Sequence, residues 1–231
     1  MAACSPSAAD IARVIDHTLL RPEATVEQID RLCDECRQYG FFGACVNPLW
    51  VTRCAERLVG SETLVVSVAG FPLGASTSAI KAAEARAALA DGAREIDMVV
   101  NLAALLAADR DAVMRDIRAV VDAVKCVHER ALVKVILETR VLTDQQIILG
   151  CQCARSAGAD FVKTSTGFHP AGGATVDHVR LLRQHAGPLR VKAAGGIRDL
   201  PTALAMLAAG ADRLGMSASV AVVTARASQV E

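Results

Sequence analysis

Aromatic side chains are scarce in this 231-residue chain: five Phe, one Tyr and one Trp, 3% of the total. That scarcity argues against the stacked aromatic platforms on which single-stranded nucleic acid is held. Net charge is missing too, because 25 basic residues balance 25 acidic ones. With no surplus of one sign, nothing draws a polyanion or an anionic bilayer to the molecule as a whole, so neither nucleic acid nor membrane is an expected partner. No apolar run approaches the ~20 residues of a membrane-spanning helix. Residues 1–10 lack the basic start and apolar stretch of a secretory leader. What is abundant is apolar mass. Hydrophobic residues make up 52% of the chain, too many for disorder and enough for one core, so a single domain over residues 1–231 is expected.

The eight cysteines sit at 4, 33, 36, 45, 54, 126, 151 and 153. Disulfide scaffolds belong to short secreted chains, and this chain has neither property. Cys33 and Cys36 form a CxxC, which suggests redox chemistry or half a zinc site. They also fall on one helical stripe with Val26, Ile29 and Leu32, and no second CxxC follows. Core packing is the expected role, as for Cys151 and Cys153. A cytoplasmic location fits this usage. The five histidines are scattered, and no third ligand is spaced to join Asp16 and His17, so no metal site is predicted. His17 is expected in a polar network, and His128, His178 and His185 at the surface.

A short apolar segment, a loop and a helix-like segment alternate along the chain. Strands are predicted at His17–Leu19, Gly43–Val46, Leu64–Val68, Glu95–Val99, Val133–Leu137, Phe161–Lys163, Leu189–Lys192 and Arg213–Gly215. Between them run helical periods. Thr25 and Thr143 each precede a glutamine at the third position, Gln28 and Gln146, which is the capping-box pattern. Ile80, Ala83, Ala87 and Ala88 suggest the buried stripe of one helix; Val113, Ile117, Val120, Val121 and Val124 that of the next. Asp199 can cap a helix whose first turn holds Pro201. Gly-Ala pairs at 92–93, 158–159 and 210–211 recur just before strands and read as helix stops. Eight strands joined through helices predict an α/β fold, a closed (β/α)8 TIM barrel. An open doubly wound sheet is the alternative, but no GxGxxG follows the first strand.

A barrel places its chemistry at the C-terminal ends of its strands. Asp97 lies within one predicted strand and Lys134 within the next, while Lys163 and Lys192 each end one. Lysine is seldom buried unless paired or functional. An amine attacks a carbonyl only when unprotonated, and a free lysine near pKa 10.4 is almost wholly charged at neutral pH. Desolvation and a second ammonium both favour the neutral form. Two lysines and a carboxylate can thus cleave a carbon–carbon bond through an imine without a metal. Lys134 is the lysine expected to serve the network instead of attacking. Glycine-rich loops after the last three strands, at Thr164–Gly167, Gly195–Arg198 and Gly215–Ser219, suggest an anion site built from backbone N–H groups.

Asp16–Leu20, Ala44–Pro48, Val68–Gly74, Glu95–Asn101, Val133–Thr139, Asp160–Gly167 (with its KTSTG), Val191–Arg198 (KAAGGIR) and Arg213–Ser217 carry a family resemblance across most of the chain. The sequence resembles the deoxyribose-phosphate aldolases, class I lyases that work through a Schiff base on a (β/α)8 barrel. The resemblance implies reversible cleavage of 2-deoxy-D-ribose 5-phosphate to D-glyceraldehyde 3-phosphate and acetaldehyde, a step of deoxyribose phosphate catabolism. It implies Lys163 as nucleophile, Lys192 as its activating partner and Asp97 as proton donor and acceptor. It places Lys134, Cys45, Thr166, Gly167, Gly195, Gly196, Gly215 and Ser217 around the substrate. It implies no metal or organic cofactor, phosphosugar and aldehyde ligands, and a homo-oligomer of two or four copies. Phe168 stands where some relatives carry a lysine near the phosphate. Met216 is expected to crowd the loop before Ser217. A phosphosugar isomerase, another Schiff-base aldolase, or a catalytically dead barrel that binds sugar phosphates or a protein partner would share the fold; the isomerase and the dead barrel would not need two interior lysines.

Overall fold

The computed structural model describes residues 6–228, so Cys4 lies outside the described residues. Eight parallel strands close into a barrel in sequence order: β1 (Ile15–Leu19), β2 (Gly43–Val46), β3 (Leu64–Ala69), β4 (Glu95–Val99), β5 (Leu132–Ile136), β6 (Phe161–Lys163), β7 (Arg190–Ala194) and β8 (Arg213–Met216). β8 returns to pair with β1. The expected (β/α)8 architecture is therefore present, and the predicted strands shift only slightly at their ends. Around the barrel lie α1 (Ala8–Ala12), α2 (Val26–Tyr39), α3 (Val51–Arg57), α4 (Ser78–Ala90), the short α5 (Leu102–Leu106), α6 (Arg110–Val127), α7 (Asp144–Ser156), α8 (Val176–His185), α9 (Leu200–Ala208) and α10 (Ser219–Ala227). No helix among the described residues is long and apolar enough to cross a membrane.

Local chemistry accounts for where the helices start and stop. Thr25 with Gln28, and Thr143 with Gln146, form reciprocal capping boxes that satisfy the first free N–H groups of α2 and α7. Asp199 accepts from Thr202 N–H, and Pro201 occupies the first turn of α9, where no donor is needed. The recurrent Gly-Ala pairs each end a helix in the same way. Gly92, Gly158 and Gly210 take positive φ, and Ala93, Ala159 and Ala211 donate back to Ala88, Ala154 and Met206. This is a Schellman stop, and it turns the chain straight into the next strand.

Strand alternation sorts the core. Ile96, Met98, Val133, Val135, Val191 and Leu214 point outward and are buried under the helices. They meet the Val113, Ile117, Val120 and Val124 stripe of α6, and Cys33 and Cys36 of α2, in one apolar layer. Each fully buried side chain of this kind contributes about 1.5–3 kcal/mol, so the outer layer supplies the apolar stabilisation and the lumen is free to hold charges. Cys33, Cys36, Cys151 and Cys153 are buried free thiols, in keeping with the packing expectation.

One stripe is corrected. In α4, Ile80 is 53% exposed, and Ala83 and Ala87 also face solvent. The buried face is Lys81, Ala82, Ala85, Ala88 and Leu89. An alanine-rich helix has little apolar contrast around its circumference, and here a lysine sits on the inner face. The Lys81 ammonium donates to Asp116 Oδ2 at 2.8 Å, while Ser78 Oγ–H and the Asn101 N–H satisfy the same carboxylate. The fully partnered Asp116 is what makes a buried lysine tolerable there.

Candidate active site

The barrel lumen brings the predicted residues together. Asp97 on β4 is in register with Lys134 on β5, and Lys163 on β6 is in register with Lys192 on β7. Lys134 Nζ donates to Asp97 Oδ1 at 2.7 Å and lies 2.6 Å from Glu95 Oε2. Lys163 Nζ donates to Asp97 Oδ2 at 2.8 Å, and Lys192 Nζ reaches the same oxygen at 2.7 Å. Lys192 also donates to Asp16 Oδ2 at 2.5 Å. One layer below, Arg213 bridges Asp16 at 2.8 Å and Glu95 at 3.2 Å.

These interior groups do not balance. Four cations (Lys134, Lys163, Lys192, Arg213) face three carboxylates (Asp16, Glu95, Asp97), all buried. Loss of one proton from the cations would neutralise the set, which matters in a lumen of low dielectric. Lys163 is the one placed to lose it, having a single carboxylate contact where its neighbours have two or more. Burial, followed by the nearby Lys192 charge, lowers its pKa below the ordinary lysine value and outweighs the pull of Asp97. Burial opposes the charge on Lys192 and Lys134 as well, but their carboxylate partners prevail and both pKa values rise. Burial likewise opposes the charge on Asp97, yet the three ammonium groups around it hold its pKa well below the carboxylate range.

Only Lys163 of the three lumen lysines reaches a cavity wall. That cavity, about 240 Å³, opens at the C-terminal mouth and is walled by the loops after β6, β7 and β8. Gly167, Gly195, Gly196 and Ser217 line it, and their backbone N–H groups find no acceptor among the described residues. Gly167 and Gly195 have φ of +83° and +88°, and a Cβ on Gly195 would come within 3.2 Å of the Gly167 Cα. The close backbone approach that shapes this cradle therefore requires glycine. Arg198 and Arg21 are exposed at its rim. A wider groove of about 720 Å³ lies alongside, between α2 and α10, and touches none of the lumen lysines.

The geometry revises several assignments. Gly215 lines the cavity, but a Cβ there would sit 3.0 Å from Lys192 Cε, so the absent side chain makes room for that lysine. Cys45 is fully buried beneath the mouth with Leu20, Val66 and Val68, off the cavity wall; burial raises its thiol pKa. Thr166 lines the cavity, but its hydroxyl donates to Glu138 at 2.5 Å and is not turned to a ligand. Met216 packs into the apolar layer beneath the helices and also lines the cavity beside Ser217. His178 is half-buried and hydrogen-bonded to Thr139 Oγ at 3.0 Å, not a free surface residue. His17 joins a polar network as expected, between Glu35 at 2.7 Å and Ser219 at 2.9 Å.

Asp16, Glu95, Arg213 and Glu138 were not among the predicted site residues. The first three carried a usable signal, a charge inside a predicted strand or immediately before one, facing the lumen in phase with Asp97. Glu138 follows β5 in a left-handed conformation, φ 58°, which costs a non-glycine residue about 1–3 kcal/mol. No periodicity announces that.

A parallel barrel with an amine of weakened basicity at its C-terminal mouth, backed by a second ammonium and a shared carboxylate, defines an aldolase-type enzyme. The DeoC/LacD family of aldolases matches residues 15–224, and the chain belongs to that family. It is 55% identical over 214 residues to deoxyribose-phosphate aldolase 1 of Bacillus licheniformis, covering 92% of this chain and 94% of that protein. It is 52% identical over 215 residues to the deoxyribose-phosphate aldolase of a Geobacillus strain, covering 93% and 95% of the two chains. Among solved structures, the tetrameric deoxyribose phosphate aldolase of Aeropyrum pernix superposes with a TM-score of 0.89 at 36% identity, covering 96% and 93% of the two chains.

Proposed function

We propose that this chain is a class I aldolase that reversibly cleaves 2-deoxy-D-ribose 5-phosphate. The observation that carries the reading is the position of Lys163. It is the least compensated cation of an overcharged lumen, and the only one of the three lysines there that reaches the cavity. The neutral Lys163 amine adds to the C1 aldehyde and water leaves, giving an iminium. The Asp97 carboxylate takes up the proton of the C3 hydroxyl, with the Lys192 ammonium donating to its Oδ2. An Asp97 carboxylate held this far below the usual range passes the proton on instead of keeping it. The C2–C3 electron pair moves into the iminium, leaving an enamine and free glyceraldehyde 3-phosphate. Protonation at C2 and hydrolysis then release acetaldehyde and restore the amine.

The free N–H groups of Gly167, Gly195, Gly196 and Ser217 support a role in holding the phosphate, which aligns C1 with Lys163. Lys134 holds two of the three lumen carboxylates, Asp97 and Glu95, in place. The chemistry needs no cofactor. We read residues 1–231 as one cytoplasmic barrel domain that forms a homo-oligomer; the tetrameric Aeropyrum pernix relative supports assembly.

Trapping tests the reading. With acetaldehyde and borohydride, the protein should gain one ethyl group, mapped by peptide analysis to Lys163. The same preparation should release acetaldehyde from deoxyribose 5-phosphate. An unmodified Lys163, or an adduct on another lysine, would refute the assignment.

A further inference from the structure

Thr166, in the turn that follows the nucleophile, is tied by the side chain of one residue from the neighbouring loop. Glu138 lies just past β5, is 2% exposed and keeps its left-handed backbone. Its carboxylate accepts the Thr166 hydroxyl at 2.5 Å and the Thr166 N–H at 3.3 Å. Thr166 Oγ in turn accepts the Phe168 N–H at 3.1 Å. Among the described residues no lysine or arginine pairs with Glu138, so Thr166 supplies every hydrogen bond to its carboxylate. A carboxylate has no proton to donate, so both Thr166 donors must turn toward it and the turn has one hydrogen-bonding solution. An amide in its place would offer two donors and allow a flipped arrangement.

The consequence falls on Gly167, between the two tied residues. With Thr166 N–H and Phe168 N–H both engaged, the Gly167 N–H between them is left free, and Gly167 lines the catalytic cavity. Thr166 and Phe168 also form the common wall between that cavity and a neighbouring apolar one of about 250 Å³, which Glu138 lines with Val99, Leu102 and Pro170. Glu138 therefore approaches the turn from the side away from Lys163 and the glycine cradle.

We propose that Glu138 is a positioning residue for phosphate recognition: its carboxylate fixes Thr166 and so aims the Gly167 N–H into the site. This rests on the aldolase reading above. It differs in predicting a defect confined to the phosphorylated substrate, because imine formation at Lys163 does not depend on this turn. In Glu138→Gln, KM for deoxyribose 5-phosphate should rise about tenfold, the scale of one hydrogen bond to a charged group, with kcat changed less than about twofold. The relative rate on unphosphorylated 2-deoxyribose should stay near that of the parent. Thr166→Val, which removes the hydroxyl without touching the Glu138 backbone, should show the same split. The double variant should be no worse than the poorer single one. Borohydride trapping of acetaldehyde on Lys163 should proceed in both single variants. An equal fall on the two sugars, an unchanged KM in either variant, or additive losses in the double would overturn the proposal. Failure of the parent chain to trap acetaldehyde would overturn the aldolase reading itself, and this proposal with it.

Discussion

Lys163 and Lys192 donate to a single oxygen, Oδ2 of Asp97, from positions paired in register on adjacent strands. Each ammonium raises the cost of the other, but the burden falls unequally. Lys192 has a second carboxylate, Asp16, at 2.5 Å, and Lys163 has none. The proton is therefore lost where it is least compensated, at the lysine that faces the cavity.

Replacing the second ammonium should expose this coupling. In Lys192→Met, Lys163 loses the like charge that helps depress its pKa, so its amine holds its proton to higher pH. Each unit of upward shift lowers the neutral fraction tenfold on the acid side. The expected result is a fall in kcat/KM of roughly ten- to a hundredfold near pH 7, partly recovered in alkali, with the acid limb displaced upward. A pH–rate profile with an unmoved acid limb would remove Lys192 from the activation of Lys163.

Gly215 supplies a steric test. A Cβ there would meet Lys192 Cε at 3.0 Å and Ala194 Cβ at 3.1 Å, so Gly215→Ala should displace Lys192 from its shared oxygen. We expect a kcat loss of about tenfold, with Tm lowered by only a few degrees, since overpacking by one methyl costs on the order of 1–3 kcal/mol. Gly196→Ala is the control. Its Cβ meets nothing within 4 Å, although φ is +79°, so it should cost stability without moving the pH profile. Identical pH profiles for the two variants would mean that Gly215 does not make room for Lys192.

How much of this was legible in the sequence depended on how local the signal was. Asp97, Lys134, Lys163 and Lys192 stood out because a charge inside a short apolar strand has to face a lumen, and period two fixes the side. Helix caps at Thr25, Thr143 and Asp199 could be read because they act over three residues. The α4 face could not, since alanine on all sides leaves only tertiary contacts to choose the buried stripe, and the choice was made by Lys81 meeting Asp116 from α6. Thr166 illustrates the same limit. Its place beside the nucleophile is plain in the chain, but its hydroxyl is claimed by Glu138 from the neighbouring strand's loop, 28 positions away.

The Lys81–Asp116 pair should weigh on stability and spare the chemistry. Both side chains are buried, so Lys81→Met leaves a buried carboxylate without its cation and should cost about 3–5 kcal/mol. The double variant Lys81→Met/Asp116→Asn removes that charge and keeps an acceptor for the Asn101 N–H, so part of the loss should return. Urea unfolding at constant m-value reads both effects. A double variant less stable than Lys81→Met would show that the carboxylate matters for its other donors, Ser78 and Asn101, more than for Lys81.

The lumen carboxylates predict the response to acid, and the sign can be worked out. Burial opposes ionisation of Asp16, but Lys192, Arg213 and Lys134 outweigh it and hold its pKa below the ordinary carboxylate value; Asp97 is lowered in the same way. Between the folded and unfolded values the unfolded chain binds more protons. The stabilisation from these groups is therefore complete above the unfolded carboxylate pKa, near 3.9, and is lost as pH falls through the lower folded values. Asp16→Asn removes one such group and leaves Lys192 and Arg213 short of a partner, which should cost about 3 kcal/mol near pH 7. Because the parent forfeits the same interaction on protonation, the gap in Tm between parent and variant should narrow as pH is lowered toward about 2. Thermal unfolding of both proteins across that range decides the matter. A gap that persists undiminished in acid would mean that Asp16 acts by shape or hydrogen bonding, and that its charge does not hold the lumen together.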